Sequence, residues 1–155
     1  MKHIVFEIES NDDILELIDK RFDHFFIHKF NPHNTIEWYS ADLKTANFDF
    51  KGATIRNMEL DLQTNLDGLK KLIDLNTNYL RIYQFEKSVP DTLLIEHLPE
   101  NTIEKILLQN GLRHLFFIDF EFLILSSFDE EYIDMIKNHP VFGSRIKERR
   151  LTKNI

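Results

Sequence analysis

The chain has 155 residues with 43% hydrophobic and 29% charged positions, four Gly, four Pro and no Cys. That length buries about two-thirds of the unfolded surface in one core, so collagen-like, disordered and linker-dominated chains are excluded; the lack of Cys removes disulfide scaffolds, thiol nucleophiles and thiol redox chemistry and is compatible with a reducing compartment. The formal charge of −7 is uneven: from Lys137 onward six Lys or Arg stand against Glu148 alone, a net +5 that leaves −12 on residues 1–136.

Residues 2–9 alternate, with Ile4, Phe6 and Ile8 on one side, and predict a strand with one wet face. Glu7 and Glu9 interrupt this opening apolar stretch, so no export signal is expected. Ser10 supplies an N-cap and Asn11, Asp12 and Asp13 an acidic first turn for a helix expected from about Asp12 to Phe26. Asn31-Pro32-His33-Asn34 is turn chemistry, and the β-branched and aromatic run Thr35–Tyr39 predicts a second strand. Lys51-Gly52-Ala53 reads as a hairpin connection between 47–50 and 54–63, with Met58, Leu60 and Leu62 sharing a face. A helix over 64–76, a strand over Tyr79–Phe85 and a helix from Pro99 to Gln109, stopped by Gly111, follow. The run from Arg113 to Leu125 alternates without a break and predicts the strongest strand. Ser127-Phe128-Asp129-Glu130 then predicts a capped helix ending before Pro140.

Together these elements predict one acidic α+β domain over residues 1–140, followed by a basic C-terminal tail, 141–155, expected to be solvated. The expected architecture is a two-layer sandwich: about six strands in a mostly antiparallel or mixed sheet, with about four helices on one face. The longest apolar runs, Leu115–Ile118 and Phe122–Leu125, fall far short of the roughly 20 residues that span a bilayer, so a cytoplasmic protein without a membrane partner is expected.

Sorting the strands by parity collects Ile4, Phe6, Ile36, Trp38, Leu60, Leu62, Leu80, Ile82, Phe116, Ile118, Phe120 and Phe122 on the face to be covered by helices. The opposite parity collects Glu37, Tyr39, Glu59, Asp61, Tyr83, Phe85, Asp119 and Glu121, an acidic face carrying aromatics. One-sided sheets commonly leave such a face in water for solubility. It also suits docking of a basic protein, with charge speeding the encounter and aromatics supplying contact energy. Charge of this sign repels phosphate backbones, so no nucleic-acid partner is expected.

Catalytic chemistry is weakly signalled. His24 and His28 are one helical turn apart in the expected helix, with His33 close in sequence, and would suit Zn²⁺ as part of a metal-dependent hydrolase. Phe25 stands where a zincin helix would carry its general base, so protease chemistry is not indicated, and no metal or cofactor is expected. The four glycines are too dispersed for a phosphate-binding loop. A homo-oligomeric structural or regulatory subunit, using the exposed aromatics as a self-interface, is the other alternative.

The stretch from Phe116 to Leu125 followed by the capped helix from Ser127 to Asn138, in a small, acidic, cysteine-free chain, resembles the immunity proteins of bacterial polymorphic-toxin and contact-dependent growth inhibition systems. The resemblance implies a non-enzymatic α/β or α+β protein that neutralises a cognate toxin, often a nuclease with a basic substrate surface, by binding it. It transfers no functional residue.

Overall fold

The computed structural model describes residues 2–30, 54–56, 59–74, 79–88 and 100–147. In chain order these form β1 (Lys2–Glu7), α1 (Asn11–Leu17), β2 (His24–Phe30), β3 (Thr54–Arg56), β4 (Glu59–Thr64), α2 (Leu66–Asp74), β5 (Tyr79–Phe85), α3 (Glu100–Gln109), β6 (Leu112–Asp119), β7 (Phe122–Ser127), α4 (Glu130–Lys137) and a 3₁₀ turn, Phe142–Arg145. The strands make one sheet in the order β1–β7–β6–β5–β2–β4–β3, and every neighbouring pair is antiparallel. The α+β two-layer architecture is thus as expected, with seven strands among the described residues. No helix among them is long and apolar enough to cross a membrane.

One face of the sheet carries the main core. Ile4 and Phe6 of β1, Phe25 and Ile27 of β2, Leu80 and Ile82 of β5, Phe116 and Ile118 of β6, and Leu123 and Leu125 of β7 pack there. Ile14 and Leu17 of α1, Leu69, Leu72 and Ile73 of α2, and Ile133 and Ile136 of α4 cover them. The alternate positions Phe26, Tyr83 and Leu115 face the other way and meet Leu107 of α3 in a second, smaller cluster with Phe85 and Leu112. Leu112 reaches that side because the register shifts where β6 pairs with Gln84 and Phe85, and an extra residue in one strand re-aims its neighbours. Helix α3 therefore covers part of the face opposite α1, α2 and α4.

The helix expected to run to Phe26 ends at Leu17. Ile18 turns extended, and Lys20 Nζ donates to the carbonyls of Leu15 and Ile18 near the helix end. Asp19 then accepts the Arg21 amide at 3.1 Å, a local turn that competes with helix continuation. Phe22, Phe25 and Phe26 fit a helical stripe as easily as a strand, but Phe25 and Phe26 lie on opposite faces of β2.

The run from Arg113 to Leu125 is two strands, not one. Asp119 pairs with Phe122 across a two-residue turn, Phe120-Glu121, and Phe120 adopts φ of 56°. The turn reverses the face assignment: Leu123 and Leu125 are buried in the main core, while Phe122 and Ile124 are half-buried and Phe120 is exposed.

Residues 141–147 are not a solvated tail. Phe142 inserts into the core, edge-on to Phe6 at 6.4 Å between ring centroids, and Ile146 bridges to Phe6. The Lys147 amide donates to Val5 O at 2.7 Å, while Arg145 pairs with Asp13 at 3.0 Å and Glu9 at 3.4 Å. The basic residues of this segment thus neutralise Glu7 of β1, Glu9 of the following loop and Asp13 in the first turn of α1, which is why their charge stays with the domain. Residues 148–155 lie outside the described residues.

Candidate functional site

Polar residues occupy apolar-parity positions on three adjacent strands. Ser127, His114 and Gln84 are opposite one another across β7, β6 and β5, on the helix-covered face, and all three are buried. The loop after α1 roofs this row. Gln84 Nε2 donates to the carbonyls of Asp19 at 2.6 Å and Phe22 at 2.9 Å, holding the loop against the sheet.

His114 is bonded at both ring nitrogens, to Asp19 Oδ2 at 2.9 Å from Nε2 and to Ser127 Oγ at 2.8 Å from Nδ1. Tyr132 of α4 stacks on the imidazole at 4.1 Å between centroids. Burial pushes the imidazole below its ordinary 6.5, against the pull of Asp19. A neutral ring donates from Nε2 to Asp19 and accepts the Ser127 hydroxyl at Nδ1.

Burial alone would raise the Asp19 carboxyl, but hydrogen bonds from Arg21 and His114 outweigh it and hold Asp19 well below the usual carboxylate range. Arg21 forks onto Asp19 with Nε at 3.0 Å and Nη2 at 2.7 Å, and Nη2 also reaches Asp129 at 3.2 Å. Asp129 caps α4 by accepting the Tyr132 amide at 3.1 Å and binds Arg113 at 2.8 Å; Arg113 in turn pairs with Glu86. The chain Glu86–Arg113–Asp129–Arg21–Asp19–His114–Ser127 thus runs from surface to core.

Ser, His and Asp in hydrogen-bond contact invite comparison with a nucleophilic triad, and the geometry argues against that role. The Ser127 hydroxyl is fully buried and surrounded by protein partners: the Asp129 amide donates to it at 2.9 Å, and Arg113 O, 3.1 Å away, competes with His114 Nδ1 for its single proton. A nucleophile needs an open approach and oxyanion donors beside it. This Ser127 instead ties the start of α4 to β6. The cap expected at Ser127 lies two residues later: Asp129 is the N-cap of α4.

The expected site residues separate. Glu37, Tyr39 and His33 lie outside the described residues. Glu59 and Asp61 are on β4, opposite Arg56 and Thr54 of the edge strand β3. Tyr83 and Phe85, expected as exposed anchors, are buried beneath α3 at 8% and 0% exposure, so they serve the second core. His24 and His28 sit on β2 rather than on a helix; four residues along a strand span about 13 Å, too far for one ion. Among the described residues no group of His, Asp or Glu is placed to hold a metal.

Asp119 and Glu121 remain together, at the tip of the β6–β7 hairpin on either side of Phe120. Phe120 is 67% exposed, the most exposed large apolar side chain among the described residues. Neither carboxylate has a cationic partner among those residues. Ile8 N donates to Glu121 O at 2.7 Å, so the chain leaving β1 buttresses the turn. A phenylalanine at positive φ is strained where glycine would not be, and such strain persists where surrounding structure enforces it. Comparison with family models, curated proteins and solved structures returned no match to the chain.

Proposed function

We propose that this chain is a non-enzymatic, cytoplasmic protein-binding module of the immunity type. It neutralises a cognate toxin, most concretely a nuclease, by docking the acidic hairpin tip onto the basic surface that the toxin uses for its substrate. The observation that carries this reading is the exposed Phe120, held at φ of 56° between the carboxylates of Asp119 and Glu121, neither of which has a cationic partner among the described residues. An aromatic on a rigid turn costs little entropy to immobilise, and flanking charge steers a cationic partner onto it. The acidity of the body, −9 over residues 1–147 once Lys137, Arg145 and Lys147 are counted, extends the same attraction to longer range.

The test is capture. Immobilised protein is exposed to lysate of the source organism and washed at low and then high salt, alongside the Asp119→Lys/Glu121→Lys variant. One basic protein should be retained by the wild type at low salt, be released as salt rises, and be absent from the variant. Equal retention by the variant would refute docking through the tip.

A further inference from the structure

Three neighbours of the fully buried His114 are arranged for a charged ring. Nε2 lies 2.9 Å from the Asp19 carboxylate, Nδ1 lies 2.8 Å from Ser127 Oγ, and the Tyr132 ring stacks on the imidazole at 4.1 Å between centroids. A carboxylate at one nitrogen and an aromatic face beside the ring both favour imidazolium over the neutral form. The wider charge balance points the same way. Glu86, Arg113, Asp129, Arg21 and Asp19 are bonded in series, three carboxylates against two guanidiniums, so a proton on His114 cancels the one charge in excess. Gln84, opposite on β5, is uncharged, and burial keeps the Tyr132 phenol neutral.

Ser127 decides whether that charge can be held in place. Its Oγ carries one proton and two lone pairs, and one lone pair accepts the Asp129 amide at 2.9 Å. With the ring neutral, the hydroxyl proton turns to Nδ1. With the ring protonated, Nδ1 becomes a donor; Oγ accepts from it with the second lone pair, and the hydroxyl proton turns to Arg113 O, 3.1 Å away. Arg113 is the extra residue of the β6 bulge: Gln84 pairs with His114 and Phe85 with Leu112, so Arg113 has no opposite on β5. The protonated ring thus keeps all its contacts, and the network gains the bond to Arg113 O. Burial still opposes the charge, so uptake comes below the ordinary 6.5.

We propose that His114 is a proton-uptake site within the core and that the Ser127 hydroxyl is its two-position switch, turned to Nδ1 when the ring is neutral and to Arg113 O when it is charged. The loop after α1 and the start of α4 therefore stay docked in both states. The device is independent of the hairpin tip. The test is NMR of the isotopically labelled full-length protein as pH is lowered from 7.5 to 4. In the wild type the His114 ring nitrogens should show the Nε2–H tautomer at the start and take up a proton below pH 6.5, while the Asp129 amide, bonded to Oγ, keeps its protection from hydrogen exchange. Ser127→Ala removes the acceptor for the charged ring and should weaken proton uptake about tenfold, as loss of a hydrogen bond to a charged group does. A hydroxyl that serves only as donor to the neutral ring gives the opposite sign, stronger uptake in Ser127→Ala. That result, an Nδ1–H tautomer in the wild type at pH 7.5, or unfolding of the wild type before or as His114 takes up its proton would each overturn the proposal; the last two are read without the variant.

Discussion

Replacing Asp19 by Ala tests the buried network most searchingly. The substitution removes the acceptor for His114 Nε2, where both side chains are at most 5% exposed. An orphaned buried donor costs roughly 1–3 kcal/mol. It also removes the fork from Arg21, whose side chain is 59% exposed and whose pair is therefore worth no more than about 1 kcal/mol. The expected loss is about 3 kcal/mol, or roughly 6–12 °C in Tm for a chain of this size. Linkage fixes the pH dependence. The folded carboxyl is depressed below its ordinary 3.8, so its contribution is complete well above 3.8 and is lost as pH falls below that value towards the folded one. Urea titrations of both proteins at pH 7, 5 and 3.5 should therefore show a gap that widens slightly from pH 7 to 5, because without Asp19 the buried His114 is harder still to protonate, and that narrows from pH 5 to 3.5 as the Asp19 contribution is lost. A loss under about 1 kcal/mol at pH 7, or a gap that does not narrow in acid, would refute an ion-paired Asp19 at the centre of this network.

His114→Gln should remove a separate acid sensitivity. The folded imidazole titrates below its ordinary 6.5, so the unfolded chain takes the proton first and wild-type stability falls as pH drops through 6.5; urea midpoints at pH 7.5 and 5.5 should differ for the wild type more than for the variant. Gly143→Ala would place a Cβ 2.4 Å from the Lys137 carbonyl oxygen, and since that backbone cannot yield, the 3₁₀ turn should lift from the end of α4, at a cost of about 2 kcal/mol. Faster hydrogen exchange at the Lys147 amide, bonded to Val5 O, reads this directly. Phe120→Gly should stabilise the fold by about 1 kcal/mol, because φ of 56° no longer carries a Cβ penalty, yet weaken partner binding; thermal melts and binding measured on the same preparation separate the two.

Local signals made much of the fold legible. Tyr79–Phe85 is a strand over the range its alternation implied, and α3 ends where Gly111, at φ of 84°, was expected to stop it. The structure departs from the sequence pattern where two periods coexist or no turn signal is present. Phe22, Phe25 and Phe26 satisfy helix and strand spacing alike, and the choice was made by tertiary pairing with β4 and β5. The β6–β7 turn has Phe rather than Gly or Asn at its positive-φ position, so nothing local marked the reversal, and a two-residue turn left the alternation uninterrupted.

The site was less legible than the fold. Asp119 and Glu121 stood out as acids in an apolar run. Tyr83 and Phe85 were misplaced because α3 covers the face that parity alone left open. The network around His114 was missed, although its trace was present: Gln84, His114 and Ser127 are polar residues at core-facing parity on three strands. Only the pairing of those strands shows that the three are adjacent.

The central claim is neutralisation through the hairpin tip, and growth of bacteria expressing the captured partner tests it most directly. The partner alone should arrest growth, co-expression of the wild-type chain should restore it, and Asp119→Lys/Phe120→Ala/Glu121→Lys, folded to the same extent, should not. A partner that leaves growth unaffected, or full protection by the tip variant, would contradict it.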